Sequence, residues 1–192
     1  SIKKPMNILI LGGDGYLGWP TAMHFSSRGH DVTVVDNYLR RKASESIGVK
    51  FLYDNPDLEE RAKIWQKVSG FKINVVIGDL ADPTVMRSLF DGSVSYDWPR
   101  NDNYSGIPDT VIHYAEQPSA PYSMIDFDRA NETLKNNIIV TNNLMFAVRD
   151  FSPETHIIKL GTMGEYGTPK IDIEEGWIEI SHKGKKDTFL FP

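Results

Sequence analysis

The chain predicts an α/β fold built on a doubly wound parallel sheet. Three observations predict it: short apolar runs alternate with stretches of helical period, a glycine-rich turn joins the first run to the first helix, and an aspartate closes the second run. Residues 6–11, Met-Asn-Ile-Leu-Ile-Leu, form a short apolar run ending in glycines, as a strand buried on both faces requires. Residues 17–27 carry an apolar helical period and stop before Gly29, and Val32-Thr-Val-Val35 then reads as a β-branched strand ending at Asp36. Strand, helix and strand complete a βαβ unit. Residues 57–69 place Leu58, Ala62, Trp65 and Val68 at helical spacing ahead of Gly70. A third strand follows at 74–77, and a short helix over 83–90 starts on Pro83, where a missing N–H costs nothing. The fourth strand is 110–114, an extended helix covers 126–148, and 156–160 is the fifth strand. This alternation predicts the strand order 3-2-1-4-5. Residues 92–108, rich in proline and asparagine around Trp98 and Tyr104, read as a surface insertion. Residues 1–170 are expected to form this domain. Residues 171–192 lead out of it, alternating around Trp177, Ile178 and Ile180 before turning basic at Lys183, Lys185 and Lys186.

Composition narrows the function classes. A chain of 192 residues with 40% apolar and 24% charged residues suits one soluble domain without a metal or disulfide staple. The net charge of −5 opposes non-specific nucleic-acid binding, which needs a cationic face. No cysteine is present, which removes thiolate catalysis and cysteine zinc sites, and the five histidines have no metal-ligand spacing. The apolar run at 8–11 is too short to span a bilayer, and residues 1–6 lack the core of a signal peptide. A cytoplasmic protein without nucleic-acid or membrane partners is expected.

Gly12-Gly-Asp-Gly15-Tyr-Leu-Gly18 is the motif with the most specific chemistry. Its first glycine permits the tight turn, its second lets backbone approach a pyrophosphate, and its third lets the helix pack on the sheet. The helix N-terminus behind it offers N–H groups and a positive dipole end to phosphates. Asp36, eighteen residues beyond Gly18, is placed to accept hydrogen bonds from both ribose hydroxyls and to repel a 2′-phosphate, which favours NAD over NADP. Arg40 and Arg41 pull the other way, since a nearby arginine accommodates that phosphate. Asp79, after the third strand, reads either as a contact to adenine or as a helix cap, with Asp82 before Pro83 the better cap. Arg61 and Trp65 share a helical face, which by itself suggests a core aromatic beside a solvated arginine. The loop after the fourth strand carries Gln117, Ser119, Tyr122 and Ser123 at the edge where open α/β sheets bind ligands, although these groups can equally satisfy one another. His113 reads as a packed strand residue. After the fifth strand, Thr162 and Glu165 divide evenly between a reacting site and an ordinary turn.

The glycine turn, Val35-Asp36-Asn37, Gly78-Asp79-Leu80 and the loop after the fourth strand together resemble the extended short-chain dehydrogenase/reductase family, whose members act on nucleotide sugars. The longer segments GGDGYLGWPTA, VDNYLRR, EQPSAPYSMID, NNIIVTNNL and KLGTMGEYGTPKIDIEEGWI resemble its sulfosugar-forming branch. The resemblance implies an NAD-binding Rossmann fold and a homodimer. It implies UDP-glucose and sulfite as substrates: C4 is oxidised with NAD, the C6 hydroxyl is eliminated, sulfite adds at C6, and hydride returns to C4. Carried onto this sequence, Gly12, Gly15, Tyr16, Leu17 and Gly18 line the pyrophosphate, and Asp36, Asn37 and Arg40 hold the adenosine ribose. Arg61, Asp79 and Leu80 complete the adenosine side. Ala115, Glu116, Asn136 and Asn137 lie near the nicotinamide, and Gln117, Ser119, Thr162 and Glu165 near the hexose. Pro118 departs from the arginine of plant-type members, and Met163-Gly164 from the Asp-Glu pair of the sugar dehydratases. No Tyr-x-x-x-Lys motif, the family's catalytic pair, is read after Thr162, so that pair is expected beyond Pro192. A 4-epimerase or 4,6-dehydratase shares the first oxidation and stays as an alternative, as does a non-catalytic NAD-binding module.

Overall fold

β1 (Asn7–Leu11) is buried at every position, so its neighbours must supply apolar cover on both faces. A computed structural model describes residues 4–96 and 106–191 and shows how they do so. After β1 come α1 (Gly18–Ser27), β2 (Asp31–Asp36), α2 (Leu39–Ser46), α3 (Leu58–Ser69) and β3 (Ile73–Ile77). Next follow α4 (Pro83–Ser88), β4 (Thr110–His113), α5 (Ala120–Ser123), α6 (Phe127–Phe151) and β5 (His156–Lys159). The five strands form one parallel sheet in the order β3-β2-β1-β4-β5, the order expected from the alternation of elements. Ile8 pairs with Val32 on one side and Thr110 on the other, which puts β1 at the centre.

The side-chain period of two divides the core into two layers. Leu9, Leu11, Val35 and Val111 pack with Met86, Leu89 and Phe90 and with Val140, Leu144 and Val148 of α6. Ile8, Ile10, Val32, Val34 and Ile112 pack on the opposite face with Trp19 and Ala22 of α1 and Leu58 of α3. Each fully buried aliphatic side chain contributes about 1.5–3 kcal/mol, so this two-layer burial is the main source of stability.

Local signals set the helix ends. The Asp57 carboxylate accepts from the Glu60 N–H at 2.8 Å and caps α3, which ends at Gly70 with φ of 77°. Asp82 caps α4 through the Thr84 N–H at 2.8 Å with Pro83 in the first turn, and Asp126 caps α6 through the Arg129 N–H at 2.8 Å. Asp82 is thus the cap of this helix, and Asp79 is not. α6 runs past the expected 148 to Phe151. Two helices have no counterpart in the sequence reading. α2 buries only Ala43 and so shows no apolar stripe, while α5 has four residues, capped by Ser119 through the Tyr122 N–H. Of the connection at 92–108, residues 97–105, with Trp98 and Tyr104, lie outside the described residues.

The chain divides into two units, Ser1–Lys159 and Leu160–Pro192. The second contains an antiparallel hairpin, β6 (Gly176–His182) and β7 (Lys185–Phe191), in which His182 pairs with Lys185. Lys183 and Gly184 form its two-residue loop, with φ of 49° and 74°, as a type I′ turn requires. Among the described residues no helix is long and apolar enough to cross a membrane.

Candidate functional site

The turn between β1 and α1 lies at the carboxyl edge of the parallel sheet, and its glycines answer to different constraints. Gly12 has φ of 89°, and a Cβ there would meet the Tyr114 carbonyl at 2.7 Å. A Cβ on Gly18 would collide with the Gly12 carbonyl oxygen, and one on Gly13 with the Val34 side chain. Gly15 is unlike these. A Cβ there would meet a single atom, the Gly12 carbonyl oxygen at 3.3 Å, a tight contact but a milder one than at the other three. The helix behind the turn has Leu17 at its cap with no side-chain bond and no acidic residue in its first turn. Tyr16 and Leu17 are exposed beside it. An uncapped helix end behind a small open turn is a cradle that a pyrophosphate fits.

Asp36 ends β2 at the same edge. Its two oxygens accept from the Asp14 N–H at 2.8 Å and the Tyr38 N–H at 2.7 Å, each leaving a lone pair for a further donor. Burial pushes this carboxyl above its ordinary value, against the lowering effect of those two bonds. Asn37 accepts from the Leu39 N–H at 3.0 Å and donates to Asp79 at 3.4 Å, while Asp79 also accepts from the Ala81 N–H at 3.0 Å. Asp36, Asn37 and Asp79 are therefore neighbours across β2 and β3. Leu80 packs its side chain into the core. Arg40 is exposed, with its guanidinium 5.9 Å from the Phe51 ring centre.

Asp14 was not singled out by sequence, and it organises this edge. Its carboxylate, only 5% exposed, receives Arg41 through Nε at 2.6 Å and Nη2 at 2.7 Å, and also Arg61. Arg41 further donates to the Asn55 and Pro56 carbonyls, each at 2.7 Å. The solvated-arginine reading of Arg61 is thereby corrected. A buried carboxylate in the turn draws it inward, where it lies 5.1 Å from the Trp19 ring centre. Trp65 is the packed aromatic of that pair, donating to Ser26 at 3.1 Å. The glycine turn shows where Asp14 is, but its partners stand 27 and 47 residues away and leave no local signal.

Beyond β4 the polar groups satisfy one another. Asn137 of α6 accepts from the Gln117 N–H at 2.8 Å and returns a donor to the Gln117 carbonyl at 3.2 Å. Gln117 accepts from the Ser119 N–H at 3.1 Å, and Asn136 donates to the Ala115 carbonyl at 3.5 Å. Ala115, Gln117, Ser119, Asn136 and Asn137 are thus brought together as a stiff loop. Glu116 pairs with Lys159 at the end of β5 at 2.7 Å, a partner the sequence reading missed. His113 is buried and bonds Thr141 at 2.9 Å, and burial lowers its pKa to about 4, consistent with a neutral packed residue.

In the second unit, Thr162 and Glu165 flank a short 3-10 turn (Met163–Glu165), both exposed. The Thr162 hydroxyl accepts from the Gly164 N–H at 3.2 Å, and the Glu165 N–H donates to the Thr162 carbonyl at 3.3 Å. The expectation that no Tyr-x-x-x-Lys spacing follows Thr162 is corrected: Tyr166 and Lys170 have the four-residue spacing of the family's catalytic pair, but the stretch is not helical. Gly167 has φ of 63° and Pro169 intervenes, so the two do not share a helical face.

Similar proteins place this arrangement. The chain is 45% identical over 185 residues to the chloroplastic UDP-sulfoquinovose synthase of Spinacia oleracea, covering 96% of the chain and 36% of that protein. It is 40% identical over 188 residues to the UDP-sulfoquinovose synthase of Sulfolobus acidocaldarius, covering 97% of the chain and 44% of that protein. The chain therefore spans less than half the length of either. The fold matches the Bifidobacterium longum UDP-glucose 4-epimerase, solved with NAD+ and UDP, at a TM-score of 0.60 and 22% identity over 86% of this chain and 39% of that one. Residues 8–182 match the NAD dependent epimerase/dehydratase family, and with the Rossmann-type sheet and its glycine cradle this establishes that the chain belongs to that family.

Proposed function

We propose that the whole protein makes UDP-sulfoquinovose from UDP-glucose and sulfite, with NAD held along the carboxyl edge of the sheet. The observation that carries this reading is the 45% identity to a UDP-sulfoquinovose synthase across 96% of the chain, glycine turn and β5 loop included. Gly12, Gly15, Tyr16, Leu17 and Gly18 form the pyrophosphate cradle, in which Gly15 carries the mildest packing demand of the three glycines named. Asp36, Asn37 and Arg40 take the adenosine ribose, and Asp79, the Leu80 backbone and Arg61, the last through Asp14, complete the adenosine side. Ala115, Glu116, Asn136 and Asn137 belong to the nicotinamide side. When bound, NAD supplies a hydride acceptor that returns the hydride later, so the cycle has no net redox change.

The rest falls to side chains. Gln117 and Ser119 are substrate-binding residues for the hexose. Thr162 hydrogen-bonds the C4 hydroxyl, and Glu165 serves as a proton carrier near it. UDP-glucose and sulfite with one proton become UDP-sulfoquinovose and water, so no external oxidant is needed. A homodimer is supported by α6, where Phe127, Leu134, Ile138 and Met145 leave an exposed apolar stripe. Incubating the full-length protein with UDP-glucose, with and without sulfite, tests the reading by product mass. UDP-sulfoquinovose is expected only with sulfite. UDP-galactose formed without sulfite would assign a 4-epimerase instead, and a 4-keto-6-deoxy product a 4,6-dehydratase.

A further inference from the structure

We infer that Asp14 is a cofactor-specificity residue: it favours NAD over NADP by holding Arg41 and Arg61, two cations of the adenosine side, away from a 2′-phosphate. This rests on the reading of Asp36 as the ribose carboxylate. The Asp14 N–H donates to Asp36 at 2.8 Å and the Asp14 charge acts on the Asp36 carboxyl, so the carboxylate that gathers the two arginines is a neighbour of the ribose carboxylate. A phosphate-binding guanidinium must present free donors to its ligand. Arg41 presents few. Its Nε and Nη2 are committed to Asp14, and Nη1 and Nη2 also serve the Asn55 and Pro56 carbonyls. Arg61 points an Nη2 donor at the same carboxylate, and its Nε is buried without a partner, so the guanidinium is pulled inward at the cost of one hydrogen bond. The side chains of Arg41 and Arg61 are 19% and 15% exposed. One carboxylate at position 14 thus pairs with both cations and turns their donors inward, while Asp36 adds direct repulsion. Removing the Asp14 charge leaves two positive groups beside the ribose position with donors to spare.

The test compares NAD and NADP affinities of the full-length protein by calorimetry. The wild type is expected to prefer NAD. In D14N, which keeps the shape and loses the charge, the ratio of NADP to NAD affinity is expected to rise about tenfold, as one new charge-assisted contact to phosphate would give. In D14N/R41M the rise should vanish or halve. R41A alone should weaken both dinucleotides in parallel, because in the wild type Arg41 serves Asp14 and not the ligand. A purely structural role for Asp14 predicts parallel loss of both affinities in D14N with the ratio unmoved, and that result overturns the inference while leaving the NAD reading standing. Should D14N fail to fold, D14S, which removes the charge with a smaller side chain, is read in the same way: a raised ratio of NADP to NAD affinity supports the inference, and an unmoved ratio overturns it. A wild-type protein that binds neither dinucleotide overturns the NAD reading and this inference together.

Discussion

At the scale of single residues, the glycine turn separates what folding demands from what a ligand demands. Gly18 is required by the protein itself, because a methyl group would enter the Gly12 carbonyl and push α1 off the sheet. Gly15 is under a milder constraint, since a Cβ there presses one oxygen at 3.3 Å and Gly15 is absent from the residues of positive φ. G18A is therefore expected to lower unfolding stability by about 1–3 kcal/mol or more through overpacking. G15A should cost less stability than G18A and weaken NAD binding, because its methyl group occupies the space a pyrophosphate would enter. Denaturant unfolding and NAD titration on the two variants check the contrast. If G15A binds NAD as tightly as the wild type, the turn is not a phosphate cradle. Sequence spacing alone does not reach this distinction. It shows four glycines but not which atoms each would strike.

At the scale of elements, β4 is fastened to α6 through His113, and the fastening depends on pH. The Thr141 hydroxyl donates to the Asn137 carbonyl at 3.1 Å and so accepts from Nε2 of His113, while Nδ1 accepts from the Ala115 N–H at 3.2 Å. Only the neutral ring with its proton on Nε2 satisfies both bonds. A second proton on Nδ1 would face the Ala115 N–H. Burial is the main cause of the lowered pKa of about 4, with Glu116 opposing and Lys159 adding smaller effects. The sign follows directly: the unfolded chain takes up this proton near pH 6.5 and the folded chain only near 4, so stability is full above 6.5 and is lost as pH falls between them. The expected loss from His113 between pH 7 and 5 is about 2 kcal/mol, read by urea unfolding and absent in H113Q. An equal pH dependence in H113Q would remove His113 as its source. The element scale is also where sequence was most legible. Apolar runs on a buried sheet are continuous in the chain, so all five strands of the sheet and their order could be read. α2 could not be, because its one buried residue, Ala43, makes no stripe, and α5 has only four residues. The Asp14, Arg41 and Arg61 cluster joins three separate elements, a proximity that only the folded chain creates.

At the scale of the whole molecule, the parts that bind and the parts that move protons are unequally represented in these 192 residues. The first unit holds the glycine cradle, Asp36 and the Asn137-braced loop, which together account for a dinucleotide-binding edge. Sugar C4 oxidation also needs a base at the hydroxyl. A tyrosine has an ordinary pKa near 10, so it becomes a base at neutral pH only beside a cation that lowers it. On a helix, residues four apart share one face and supply that cation. Tyr166 and Lys170 do not, because Gly167 adopts φ of 63° and Pro169 interrupts the backbone between them. Thr162 cannot replace the tyrosine, since a neutral hydroxyl without an adjacent base is a poor proton acceptor. On the proposed function, the 192-residue chain is therefore expected to bind NAD and to leave UDP-glucose unconsumed in the presence of sulfite, and the whole protein is expected to turn over. Calorimetry with NAD and a mass assay of UDP-glucose, run on the same preparation, decide it. Sulfosugar formation by the 192-residue chain, abolished in Y166F, would show that Tyr166 acts as the base from its turn and that the helical requirement is wrong.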